Sequence, residues 1–416
     1  MKKMFLLLAV IPAFLTAAIG GHTAMAQAGT GDNKDSIEGQ RRYIHNNKMG
    51  LLDKDGVPLI PAQYEEVRIF REDLSAVKSG GQWGFIDKTG KEVIPLKYGY
   101  AWSFSEGLAR VELGGQWGFT DKTGKEVIPL KYDFAWGFSE DLALVELGGQ
   151  WGFIDKTGKE VIPLKYDHAW SFSEGLASVK LGGKYGFLDK TGKEVIPLKY
   201  DRAGFFSEGL ASVNLGGKVN LGGKVELGGK YGFLDKTGKE VIPLKYDYAW
   251  SFSEGLTSVE LGVKWGFIDK TGKEVIPLKY DFAWGFSEDL ALVELGGQWG
   301  FIDKTGKEVI PLKYDHAVSF FEDLASVKLG DQWGFIDKTG KEVIPLKYDY
   351  AGFFSEGLAS VELGGKWGFI DKTGKEVIPL KYDDVGRFSE GLASVKLGDK
   401  HGFIDKAGNE LFREKP

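Results

Sequence analysis

Residues 265–298 read WGFIDKTGKEVIPLKYDFAWGFSEDLALVELGGQ, and this string recurs with small changes along most of the chain. Copies begin at Met49, Trp83, Trp117, Trp151, Tyr185, Tyr231, Trp265, Trp299, Trp333 and Trp367, with a truncated one at His401. The spacing is 34 residues, except for 46 after Tyr185. A period of 34 also belongs to helical-hairpin repeats, but every complete copy carries Pro at position 13, as at Pro61, Pro95 and Pro311, inside its longest helix-compatible run. Gly stands at positions 2, 8 and 32, and Gly and Pro both break helix interiors. "LASVKL" and "EVIPLKY" instead alternate with period two, as strands do.

The turns fix a register. Gly296-Gly297 is the signature of a two-residue hairpin turn needing positive φ, and Asp303–Lys307 fits a type I turn closed by Gly in the left-handed region. The strands are then Leu290–Leu295, Gln298–Asp303 and Lys307–Pro311. The first turn sets Leu295, Val293 and Ala291 opposite Gln298, Gly300 and Ile302. The second sets Asp303, Phe301 and Trp299 opposite Lys307, Val309 and Pro311. One face carries Ala291, Val293, Leu295, Ile302 and Ile310; the other carries Leu292, Trp299, Phe301, Val309 and Pro311. Both are apolar, so each sheet needs a neighbour on each side. The segment Asp281–Asp289 is read as a loop that crosses to the next sheet and tucks Phe286 into the junction. The fold class expected is all-β: tandem three-stranded antiparallel meanders stacked as an open, superhelical, solenoid-like array. Closed propeller-like sets are the alternative; propellers usually have four to eight four-stranded blades, so ten units with a mid-array insertion fit the open form better, or two joined closed sets.

The "DKTG" at each repeat looks like the aspartyl-phosphate loop of ion-pumping ATPases. Asp at a hairpin mouth bonds turn amides, however, and the motif varies to "DKDG" at Asp53 and "DKAG" at Asp405. The reading is a turn, not a nucleophile. The four histidines beyond the N-terminal region, His45, His168, His316 and His401, lie in distant repeats without metal spacing. His168 and His316 share position 18 with Tyr100, Phe134, Arg202, Tyr248 and Asp384, which suggests a solvated loop position. Carboxylate pairs such as Glu140-Asp141 and Glu288-Asp289 read as turn solvation rather than glycosidase chemistry. No catalysis, metal or cofactor is expected.

Residues 1–26 have the layout of a signal peptide, with Lys2 and Lys3, an apolar run and Ala24-Met25-Ala26. Residues 27–41 read as a flexible polar leader, 42–212 as a first sub-array and 231–416 as a second with a truncated C-terminal cap. Between them, residues 213–230 repeat V-x-L-G-G-K three times, an expanded hairpin expected to form a ribbon. No other segment has the roughly 20 apolar residues of a membrane helix. The chain has no Cys, 53 basic and 59 acidic residues and no basic block, which speaks against nucleic acid. An exported monomer is expected, in the periplasm, on the cell surface or outside the cell.

The recurring W/Y-G-F-I/L-D-x-x-G-K-E-V-I-P-x-x-Y-D … F-S-E-G-L-A-x-V resembles the WG-repeat family of bacterial proteins, from about Arg42 to Phe412. The resemblance implies an exported or surface-associated β-repeat protein and brings no catalytic residues with it.

Position 20 is the informative variable. It is Trp102, Trp136, Trp170, Trp250 and Trp284 in five copies but Gly204, Val318, Gly352 and Gly386 in others. A core slot would not take both without a cavity costing several kcal/mol, roughly 3–5 for Trp→Ala. These five tryptophans are therefore the candidate ligand-binding residues, partly exposed and able to form a ladder. The leading expectation is a scaffold that binds protein or cell-envelope partners along an extended surface. The alternative is a carbohydrate or cell-wall module using the tryptophans, and an envelope hydrolase is only a foil.

Overall fold

The structure, a computed structural model, describes residues 39–216, 218–219, 225–226 and 229–413. The expected signal peptide, nearly all of the leader and most of the expanded hairpin lie outside the described residues. The described secondary structure is strand and turn throughout. It consists of a first three-stranded sheet, Arg41–His45, Lys48–Leu52 and Pro58–Tyr64, followed by ten four-stranded antiparallel sheets. Within the expanded hairpin, Lys218–Val219 pairs antiparallel with Val225–Glu226, as a ribbon would.

Each four-stranded sheet, or blade, joins the second half of one sequence repeat to the first half of the next. The eighth contains Phe282–Ala283, Ala291–Leu295, Gln298–Ile302 and Glu308–Tyr314. The expectation of three-stranded meanders is thus corrected. The segment read as a crossing loop contributes a two-residue strand, Phe282↔Glu294 and Ala283↔Val293, before Phe286 turns into the core. That strand escapes sequence patterning because it is short and ends in a second tight turn. At that turn Glu288 and Asp289 both take positive φ (54° and 68°), where glycine would ordinarily stand.

The Gly-Gly hairpin has the predicted register, Leu295↔Gln298, Val293↔Gly300 and Ala291↔Ile302. Gly296 and Gly297 have φ of 63° and 80°, as the two-residue turn demands. In the second turn Asp303 Oδ1 accepts hydrogen bonds from the Thr305 hydroxyl and the N–H groups of Thr305 and Lys307. The Thr305 hydroxyl, then the two amides, hold the Asp303 carboxyl below its ordinary pKa. The Asp is a turn clamp.

The third pairing departs from expectation. Phe301 faces Ile310 rather than Val309, and Trp299 faces Tyr314 rather than Pro311, with bulges between. The bulged edge strand bends over Gly300, and a Cβ there would lie 2.6 Å from the Ile310 carbonyl oxygen and 2.8 Å from the Leu312 nitrogen. This is why the residue after Trp is glycine. The bulge also moves Ile310 onto the Phe301 face, while Pro311 sits on an edge strand where no ladder donor is lost.

The two apolar faces pack between blades. Leu292, Phe301, Ile310 and Tyr314 of one blade share a core with Ala317, Phe320, Ala325, Val327 and Ile336 of the next. Edge-on or tilted phenylalanine pairs mark nine junctions, from Phe85–Phe104 to Phe369–Phe388, with centroids 4.8 to 5.0 Å apart.

The open array is overturned by the chain ends. Ile44, Met49 and Leu51 of the first blade lie in one core cluster with Leu392 and Leu411 of the last. The Ile44 N–H donates to buried Asp405 Oδ2 at 2.8 Å, and the Arg42 N–H donates to the Glu390 carbonyl at 2.9 Å. The eleven blades therefore close into a propeller. The truncated C-terminal copy, expected to be a cap, instead packs against the first copy.

Substituting Gly300→Ala should cost about 1–3 kcal/mol by overpacking against backbone. Gly285→Ala, where an added Cβ meets nothing within 4 Å, should be nearly neutral. Chemical denaturation of the two variants checks this, and equal stabilities would contradict the bulge argument.

Candidate functional site: an aromatic ladder across the blades

Antiparallel order puts the Asp-Lys-Thr-Gly and Ser-Glu turns at one end of each blade and the Gly-Gly turns at the other. At the first end, Glu254 accepts the Asp289 N–H of the next blade at 3.1 Å and pairs with Lys304 at 3.0 Å. The same Glu–Lys link recurs at nine junctions. At the closing junction Arg42 takes the lysine's role toward Glu390. Exposed pairs of this kind contribute little singly, so this end is a brace rather than a site.

The other end is aromatic. Cross-strand register aligns positions 18, 30, 1 and 16 in one row, for example Tyr248↔Glu260↔Trp265↔Tyr280, one residue from the two-residue turn, here Gly262-Val263. Rings at positions 1 and 18 then alternate within and between blades. One run is Trp83, Tyr100, Trp117, Phe134, Trp151 and His168, with successive centroids 5.4 to 6.0 Å apart. A second run, Tyr231, Tyr248, Trp265, Phe282, Trp299, His316, Trp333, Tyr350 and Trp367, has spacings of 5.2 to 5.9 Å. Between the runs, position 18 is Arg202 in the blade carrying the expanded hairpin. Beside the Gly-Gly turns a row of leucines is exposed, Leu113, Leu261, Leu329 and Leu363 among them.

The five tryptophans of position 20 flank this ladder. Trp102, Trp136, Trp250 and Trp284 are half-buried, and Trp170 is 42 % exposed. Each packs on the position-18 ring of its own blade, at 5.8 Å for Tyr100–Trp102 and 4.7 Å for His168–Trp170. Trp250 and Trp284 also touch each other across a junction at 5.3 Å. Phe205 and Phe353 follow Gly204 and Gly352, Arg387 follows Gly386, and Phe205 packs on Trp170.

Two arginines interleave with the rings. Arg68 lies 4.0 Å from the Trp102 centroid and 5.0 Å from that of Trp83. Arg110, 6 % exposed, lies 4.9 Å from Trp102 and Trp117, 5.7 Å from Phe134 and 5.6 Å from Trp136. Burial lowers its pKa to about 9, which leaves it charged at neutral pH. The ladder's continuity and these arginines are missed by sequence reading. The signal that could have found them is the pairing of position 18 with 30 and of 30 with 1.

The histidines are a second correction. His168 and His316 are not solvated loop residues but half-buried members of short strands, stacked at 5.4 Å on Trp151 and 5.3 Å from Trp299. Among the described residues no cluster of histidine and carboxylate side chains is arranged to hold a metal, and no helix is long and apolar enough to cross a membrane.

Eleven consecutive four-stranded or near-complete sheets joined head to tail define a β-propeller built from sequence repeats. The WG containing repeat profile matches ten successive segments, from residues 49–83 to 367–400. The chain belongs to the WG-repeat family. No curated protein matches it. Among solved structures it is similar to a eukaryotic initiation factor, at 11 % identity and TM-score 0.41, covering 91 % of this chain and 96 % of that one. It is also similar to an extracellular domain of a two-component system protein from B. thetaiotaomicron (10 % identity, TM-score 0.27, 89 % and 62 % covered). Hsv2p of Kluyveromyces lactis matches at 8 % identity and TM-score 0.33, with 61 % and 98 % covered. These likenesses are too loose to carry a functional argument.

Burial first, then Lys180 and Lys328, lowers the pKa of His168 and His316. Protonation works against the fold: this stability is whole above the ordinary histidine value of about 6.5 and declines as pH falls through the lowered one. Both imidazoles should titrate below about 6.5 by NMR. Midpoints at or above that value would contradict their place in the ladder.

Proposed function

We propose that this protein is an exported, non-catalytic binding scaffold that engages protein or cell-envelope partners along the aromatic end of its ring. The observation carrying this reading is the ladder itself, with half-exposed tryptophans outside it and leucines beside it. Tyr and Trp are enriched at interfaces, and contiguous exposed apolar patches mark interaction surfaces. Export rests on the layout of residues 1–26.

The second reading, a carbohydrate or cell-wall module, is favoured by the flat indole faces of Trp102, Trp136, Trp170, Trp250 and Trp284, since sugar rings stack on such faces. Replacing all five by Ala should leave the β circular-dichroism spectrum intact and abolish retention on the envelope fraction. Loss on purified peptidoglycan or a glycan array selects the second reading, and loss on envelope proteins alone selects the first. Unchanged retention on both removes the tryptophans from the function. Release of soluble fragments from labelled peptidoglycan would refute the non-catalytic assignment.

A further inference from the structure

Two junctions of the ring have the same aromatic walls and differ in what stands between them. At one, Trp102, Trp117, Phe134 and Trp136 surround the guanidinium of Arg110, which also donates to the Ala135 carbonyl. At the other, the equivalent residues are Trp250, Trp265, Phe282 and Trp284, and the position of Arg110 is taken by Ser258. With no arginine between them, Trp250 and Trp284 lean together, 5.3 Å apart at 35°. The intervening junctions do not repeat the arrangement, because Leu144, Ser178 and Ser212 there face incomplete or differently built walls.

From this comparison we infer that Trp250 and Trp284, with Ser258 at the floor and Glu260 beside it, form a binding slot for a guanidinium group, such as an arginine side chain presented by a partner protein. The inference rests on the binding-scaffold reading above and names the chemistry of one place on that surface.

Three features support it. Rings in the same arrangement already hold a guanidinium inside this chain, that of Arg110, 4.9 to 5.7 Å from the four centroids, although burial there lowers its pKa to about 9. The floor is polar: Ser258 is fully buried, and its Oγ, able to accept from a guanidinium N–H, finds no hydrogen-bond partner among the described residues, as is true of Ser178 and Ser326 at the same repeat position. A buried polar group normally has one, so each exception asks for an explanation. A carboxylate is at hand, because half-buried Glu260 lies directly between Tyr248 and Trp265 in register. Burial, then Asp247, raises the Glu260 pKa, a strain that an arriving cation relieves. Trp250 and Trp284 are half-buried, so entry requires the two indoles to part.

The test follows the indole N–H signals of the full-length protein by NMR during titration with N-acetyl-arginine-methylamide and with its neutral isostere N-acetyl-citrulline-methylamide. The arginine compound should shift the Trp250 and Trp284 signals saturably, and the citrulline compound should bind about tenfold more weakly or worse. Ser258→Arg, which supplies the slot with its own guanidinium, should abolish those shifts. Arg110→Ser should add a second responding pair, Trp102 and Trp136. If Ser258→Arg does not fold, the Arg110→Ser gain decides alone. Equal response to citrulline, no shift at Trp250 and Trp284, or undiminished binding by folded Ser258→Arg would overturn the slot. The wider scaffold reading would stand in each case if the five-Trp variant still lost its partner, and would fall separately if it did not.

Discussion

Every blade of this protein is apolar on both sides, and the interlocking of Phe301-type and Phe320-type rings between neighbours is the constraint from which the rest follows. Each such pair adds about 0.5–1.5 kcal/mol beyond the area it buries, and each sits among aliphatic residues from two blades. A sheet so built exposes a broad apolar surface when alone. It gains stability only by gaining neighbours, as in other repeat proteins.

A linear stack satisfies that demand everywhere except at its two ends, and a ring satisfies it everywhere. The chain closes its ring with side chains absent from the other junctions. Arg42 stands in for the bracing lysine, and Asp405, whose counterparts clamp exposed turns, is buried and holds the Ile44 amide as well as its own turn through Ala407 and Asn409. The degenerate sequence of the end repeats is the signature of that seam. Because stacking brings position 18 of each blade beside position 1 of the one before, the packing of neighbours also builds the aromatic ladder.

Much of this was legible. Turn chemistry at Gly296-Gly297 and Asp303 dictated two hairpins, and the Leu295↔Gln298 register followed from them. The stacking of two-faced sheets came from alternation, and the burial of Phe286 from its place in the segment that joins one sheet to the next. The fourth strand was hidden because Phe282–Ala283 is too short to show a period, although its turn carries glycine in other copies, as at Glu106-Gly107. The bulge over Gly300 was hidden because it depends on the path of a partner strand. Closure was hidden because curvature accumulates from small blade-to-blade rotations that no single repeat encodes. The same reason obscured the site: position 20 could be singled out as variable, but its ring partners lie partly on the neighbouring blade. His168 looked interchangeable with solvated residues because tyrosine, phenylalanine and imidazole rings all serve the ladder.

Ring closure is the claim most open to a direct measurement. The chain has no native Cys, so a double variant with Cys at exposed His45 and Lys400 takes spin labels at those two places alone. Packed sheets lie about 10 Å apart, so an open stack of eleven would separate its ends by roughly 100 Å. Pulsed electron resonance on the full-length protein should give one distance of about 10–30 Å, the reach of adjacent blades plus two label arms. A distribution centred beyond the range of neighbouring blades, or broadened over several blade spacings, would contradict the closed propeller.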